Sequence, residues 1–115
     1  MISHKDVDVK EVVMDMEGAK GVVKRVLIGP EDGSDDIIMR LFTIEPEGHT
    51  PRHTHTFPHI VKWISGKGII IDGEGRENEM TVGMSAFVEG GEEHQFENPF
   101  DDDCSFLCII PNLEK

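Results

Sequence analysis

The chain has 115 residues and carries 11 lysines and arginines against 23 acidic residues, a formal net charge of −12. Such a surface repels phosphate backbones and anionic headgroups, which argues against nucleic acid and membranes as partners, and it concentrates cations, metal ions included. The length is that of one domain, and a chain of this size buries about two-thirds of its unfolded surface, so residues 1–115 are expected to form a single unit with its own core.

In chain order, the segments VDVKEVVMDM, VVKRVLIG, DIIMRLFTIE, HIVKWISG, KGIIID, RENEMTV, MSAFVE, HQFEN and CSFLCIIP read as short β-branched or aromatic strands. Between them lie the turn-forming stretches EGAKG, GPEDGSDD, EPEGH, DGEG, EGGEE and NPFDDD. This rhythm predicts an all-β sandwich or barrel. A helix over VKEVVMDMEGAK is cut short by Gly18 and Gly21. The clearest hairpin is IIIDGEGRENE, where Asp72-Gly73 is expected to supply the positive-φ residues of a tight turn. The tails, residues 1–5 and 112–115, are expected to be loose, and the acidic runs at 31–36 and 101–103 to be solvated loops.

Cys104 and Cys108 are the only cysteines, and with extended chain between them their Cα atoms lie ~13 Å apart, too far for a disulfide. No apolar run approaches the ~18 residues of a membrane helix, and the start MISHKDVDVK is no signal peptide; the expected location is the reducing cytoplasm.

Four of the six histidines fall within HTPRHTHTFPH, residues 49–59. Pro51 and Pro58 exclude a helix there. If the run is extended, His53 and His55 share a face with Cα atoms ~6.6 Å apart, close enough for both rings to reach one ion. A turn over Thr56-Phe57-Pro58 then brings His59 to the start of the next strand, with Val61 and Trp63 following at period two. His94 comes after the glycine-rich turn EGGEE, which can set the following strand close to the same place. Taken alone, HTHTFPH reads equally well as a ligand group and as surface histidines in a turn.

Residues 48–66 read G-x4-H-x-H-x3-H-x6-G, and residues 83–98 read G-x5-E-x-G-x2-H-x3-N. These resemble the two signature motifs of the cupin superfamily, small β-barrels with a metal in the mouth. The first spacing is one residue short, Glu89 stands where proline is usual, and His59 stands where the family usually has a glutamate ligand. A four-histidine set resembles the small single-domain manganese-binding cupins, as do the segments KRVLIG, MRLFT and FLCIIP. The resemblance implies a double-stranded β-helix or jelly-roll barrel in which His53, His55, His59 and His94 are the metal ligands. His4, in a tail, and His49, in a turn, are expected to be solvated, His49 at most reaching the mouth.

Four imidazoles bring no negative charge, so a divalent ion keeps its full charge and attracts an anionic or chelating oxygen. An octahedral ion so held keeps two positions open. Imidazole suits Zn, Cu, Fe and Ni, and manganese rests on the resemblance alone. The ligands must be neutral to bind, so occupancy should fall as pH drops toward ~6.5 and below.

Strand parity sketches the pocket. Phe96 shares the face of His94, and Cys104, Phe106, Cys108 and Ile110 form one face of their segment. The resemblance to small cupins places Phe106 and Cys108 near the metal. Arg40 shares a face with Ile38, Phe42 and Ile44 and needs a partner, either an anionic ligand or an acidic residue such as Glu45 or Glu47. Trp63 reads as core, and Cys108 as a small buried hydrophobe, since no cation neighbours it in sequence. The N-terminal strands need an edge covered, so a homodimer is expected. Two functions follow: a metal-dependent oxidoreductase, dioxygenase-like, acting on a small organic substrate, or a non-catalytic metal-dependent binder or sensor of a small metabolite.

Overall fold

A computed structural model describes residues 1–113. Among them are nine strands: β1 (Val12–Val13), β2 (Lys20–Ile28), β3 (Ile37–His49), β4 (His59–Ser65), β5 (Gly68–Ile71), β6 (Glu77–Met80), β7 (Ser85–Val88), β8 (Gln95–Glu97) and β9 (Cys104–Pro111). Two 3-10 turns, Asp6–Asp8 and Pro30–Asp32, are the helical content, and no helix among the described residues is long and apolar enough to cross a membrane. Every pairing is antiparallel, in the order β6-β5-β8-β3-β9-β4-β7, with β2 on the other edge of β3 and β1 on β2. This is the expected all-β fold, one sheet curled on itself.

The curl is made inside β3. Its first part pairs with β2 and β9 together, and its last residue, His49, pairs with Glu97 of β8. Between these stretches Glu47 takes φ 68°, and a Cβ on Gly48 would press on the carbonyl oxygens of Lys20 and Glu45 at 2.7 and 2.9 Å. Only glycine lets the strand turn that corner. Asn98, fully buried, fastens it: its amide donates to the carbonyls of Ile44 (2.9 Å) and Asp102 (2.8 Å), and its Oδ1 accepts from Phe100 N–H (3.0 Å). The asparagine that closes the second motif is thus a structural bolt, with its side-chain polar groups satisfied in the interior.

The core lies between the curled faces. Along β9 the pattern alternates, with Cys104, Phe106, Cys108 and Ile110 buried and Ser105, Leu107 and Ile109 half-buried, as parity predicts. Phe106 is its centre: its ring stacks on Phe42 (5.4 Å between centroids), Trp63 (4.7 Å) and Phe96 (4.6 Å). Trp63 is core as expected, 1% exposed.

Several local expectations are corrected. Of VDVKEVVMDM only Val12 and Val13 form a strand, and both remain exposed, so the segment has little apolar burial to hold it in register. The left-handed residue of the β5–β6 turn is Gly75 (φ 80°), not Asp72 or Gly73; Asp72 instead accepts the N–H groups of Glu74 and Arg76 on its Oδ1, closing a longer loop. His4 is not loose, since its Nε2 meets Asp32 Oδ1 at 2.7 Å, and Asp32 also accepts Gly29 N–H. Asn112 donates its N–H to Asp36 O at 2.8 Å, so the C-terminal tail is tied at least that far; residues 114–115 lie outside the described residues. His49 ends β3 and is half-buried rather than in a turn.

Candidate metal centre

The loop between β3 and β4 is held at both ends of its histidine run. Thr50 is buried and donates its N–H to Phe96 O at 2.8 Å, its Oγ1 accepts Phe96 N–H at 2.9 Å, and its carbonyl accepts Gln95 Nε2 at 2.8 Å. His53 and His94 form an isolated antiparallel bridge with reciprocal N–H···O contacts of 3.2 and 3.1 Å. Gly91 N–H then donates to His55 O at 2.7 Å. His53 and His55 therefore converge through cross-strand pins, and not because they sit on one strand, as the sequence pattern implied.

His59 opens β4 as expected and is 3% exposed, as is His94. His94 Nδ1 lies 2.9 Å from Glu92 O; since a carbonyl only accepts, Nδ1 carries the proton and Nε2 keeps its lone pair. His55, His59 and His94 each offer a ring nitrogen, and these atoms all lie within 4.8 Å of one another. His53 is the outlying member: its ring centroid is 4.3 Å from that of His55 but 6.1 Å from that of His94, and it is half-buried. The structure thus gathers three of the four histidines into one compact set and leaves the fourth beside it.

The set fits a cation on two grounds. The Nδ1 atoms of His55 and His59 are buried with no protein partner, and a bare polar atom in an interior is costly unless something binds it. Burial, then neighbouring cationic groups, also favours the neutral ring at two of these positions, bringing His55 down to about 4 and His59 down to about 3, and burial followed by His94 lowers His53. Neutral imidazole is the form that ligates.

The four histidines line one side of an open cavity of about 210 Å³, and Arg40, Phe96, Phe106 and Cys108 line it too. All the residues singled out from the sequence as ligands or pocket therefore meet in one place. Arg40 corrects an expectation, because no carboxylate pairs with it among the described residues. Glu45 and Glu47 stand exposed around the bend in β3, out of line with the cavity. Instead Arg40 Nη2 donates to Cys108 Sγ at 3.1 Å and its guanidinium lies 4.9 Å over the Phe42 ring, while its buried Nε has no partner. A cation does neighbour Cys108, then, across the β3–β9 register that pairs the two residues. Burial still pushes the Cys108 thiol up, against the opposing pull of Arg40.

Five further lining residues were not foreseen: Lys24, Met14, Met16, Phe42 and Thr50. Lys24 sits on β2 opposite Phe42 and is half-buried. The available signal was its two-residue spacing from buried Val22, but both phases of GVVKRVLI carry apolar residues, so parity alone did not choose a face. Met14, whose N–H donates to Val22 O at 2.9 Å, and Met16 follow β1 and line the cavity.

A family model described as "Cupin domain" matches residues 40–110. Among solved structures, the chain is similar to the polyketide cyclase RemF from Streptomyces resistomycificus, with 31% identity and a TM-score of 0.92 over 97% of this chain and 80% of that one. It shares its fold with a predicted oxalate decarboxylase from Thermotoga maritima (23% identity, TM-score 0.83, 96% and 98% of the two chains). The same holds for a sugar phosphate isomerase of the cupin superfamily from Silicibacter pomeroyi (23%, 0.80, 91% and 72%). No curated protein sequence matches the chain.

Proposed function

Because this chain belongs to the cupin family, we propose that it is a metal-dependent enzyme in which His53, His55, His59 and His94 hold one divalent transition metal ion beside a small organic substrate. The observation that carries this reading is the trio of ring nitrogens within 4.8 Å, two of its rings having a bare buried Nδ1. A metal ion there supplies Lewis acidity or a redox centre toward an oxygen-bearing substrate. Manganese follows from the motif resemblance, while the all-imidazole set also suits iron, nickel, copper or zinc.

The chain's own groups define the rest. Glu92 O fixes the tautomer of His94, and the Gly91 contact to His55 O sets that residue's backbone. Phe96 and Phe106 make the floor apolar and keep water from it. Arg40 spans the space between Cys108 and Phe42, with donors left for an anionic group. No carboxylate among the described residues lines the cavity to act as a base for hydrolysis, so oxidation of the substrate, dioxygenase-like, is the reaction type favoured. A second reading, ring closure of an oxygen-rich substrate, is favoured by the 31% identity with a polyketide cyclase.

Elemental analysis of protein purified without added metal, followed by an oxygen-consumption screen over small organic acids and polyphenols, tests this. Stoichiometric metal with substrate-dependent oxygen uptake supports oxidation, and product formation without oxygen uptake supports ring closure. Ligand binding with no turnover under any oxidant points to the non-catalytic binder or sensor, and absence of metal overturns the reading. We also propose a homodimer formed across the β1–β2 edge, where Val12, Val13 and Val26 are exposed; a strict monomer in light scattering would contradict it.

A further inference from the structure

The cavity reverses the electrostatics of the molecule. The chain carries 23 acidic residues, yet none among the described residues lines this space. Its charged side chains are Lys24 and Arg40. The β2–β3 register pairs Lys24 with Phe42 and Val26 with Arg40, so the two cations are diagonal neighbours on the inward face. At diagonal cross-strand positions, ~7–8 Å apart at Cα, long side chains reach one another, and like charges within that reach repel. Burial and the Arg40 charge do hold the Lys24 ammonium below its usual range. Neither cation has a carboxylate partner among the described residues, although such partners are abundant elsewhere on the surface. A protein this acidic that keeps two unneutralised cations side by side in an apolar cavity is built to receive negative charge there.

The walls around the pair state what carries that charge. Phe42 and Phe96 present aromatic surface, and Met14 and Met16 line the same space with unbranched, polarizable side chains that adapt to a flat apolar guest. The volume, about 210 Å³, equals that of roughly seven water molecules, enough for one ring with its acidic group. We propose that the ligand of this cavity is a small aromatic acid whose anionic oxygens are held by Lys24 and Arg40 while its ring lies against Phe42, Phe96 and the two methionines. Lys24 is in this view the residue that selects an acid over its neutral isostere. The inference rests on the small-molecule part of the proposed function and not on its metal.

Calorimetric titration of benzoate, benzamide and inorganic phosphate into the full chain, as purified, tests it, with metal content measured on the same samples. Benzoate should bind at least about tenfold more tightly than benzamide, and phosphate more weakly than benzoate, because a charged hydrogen-bonded contact and an aromatic one act together. Lys24→Met should erase most of the preference for benzoate, and Lys24→Arg should restore it. Equal affinity for benzoate and benzamide in the unaltered chain overturns the proposal, as does phosphate binding as tightly as benzoate. A Lys24→Met variant that keeps the full preference overturns the role of Lys24. Benzoate preference in protein without metal would sink the metal reading and leave this one standing, whereas a metal-loaded chain with no preference would do the reverse.

Discussion

The two sides of the cavity are built on opposite principles. One side is four imidazoles, brought together from a coil segment, the start of β4 and the residue before β8. The other is Lys24, Arg40 and Cys108, carried on β2, β3 and β9, where cross-strand register sets every neighbour. The imidazole side needs loops pinned into place and bare nitrogens; the cationic side needs a rigid sheet to hold like charges together. Phe106, which lines the same cavity and stacks on Phe42, Trp63 and Phe96, is the shared floor. If the proposed metal set and the proposed anion-binding pair act independently, each should be disabled by substitution without the other.

The largest expected effect is on the imidazole side. His59→Ala or His94→Ala should reduce bound metal to background, a loss greater than the ~10–100-fold that follows from removing an outer hydrogen-bond partner. The outlying His53 should cost less. Metal per chain by elemental analysis, with circular dichroism to show the fold intact, checks the order; an order with His53 first would break the distinction between compact trio and rim.

Phe106→Ala strikes the shared floor and should lower stability by about 3–5 kcal/mol in urea melts, since it removes three stacked neighbours at once. A loss under ~1 kcal/mol would mean that the two sides do not depend on a common core.

Acid should act on the imidazole side alone. The unfolded chain protonates these rings near pH ~6.5. The folded, metal-free chain keeps His55 neutral down to about 4 and His59 down to about 3. Across that window the unfolded state binds more protons, so stability rises with pH and is lost as pH falls. Urea melts of chelator-treated protein at a series of pH values should show it, and His55→Phe should flatten part of the slope.

Arg40→Met should leave metal content unchanged and cost about 1 kcal/mol, from the lost contacts to Cys108 and to the Phe42 ring. Loss of metal in this variant would show the two sides to be coupled. The smallest effect belongs to His49→Ala: His49 is absent from the cavity lining, so metal content should remain within about twofold by elemental analysis.

Much of the imidazole side was legible because its information is local. Motif spacing names the histidines, and prolines at 51 and 58 forbid the competing helix. The reason given for their convergence was nonetheless wrong for His53 and His55, which are placed by the bridge to His94 and by Gly91 and not by strand parity. The cationic side was legible only in part. Arg40 stood out as a charge among apolar neighbours, but its contact with Cys108 joins residues 68 apart in sequence. Lys24 was missed because both phases of its strand are apolar.

By itself, then, the sequence determined the all-β class, the strand sequence and the histidines at issue, since alternation, turn residues and motif spacing are properties of neighbouring positions. Only the tertiary structure decided which three rings form the compact set, which residue answers Arg40, and that Lys24 faces inward. Those outcomes depend on the register between strands and on the corner in β3 at Gly48, where a few ångströms of backbone approach choose the neighbours.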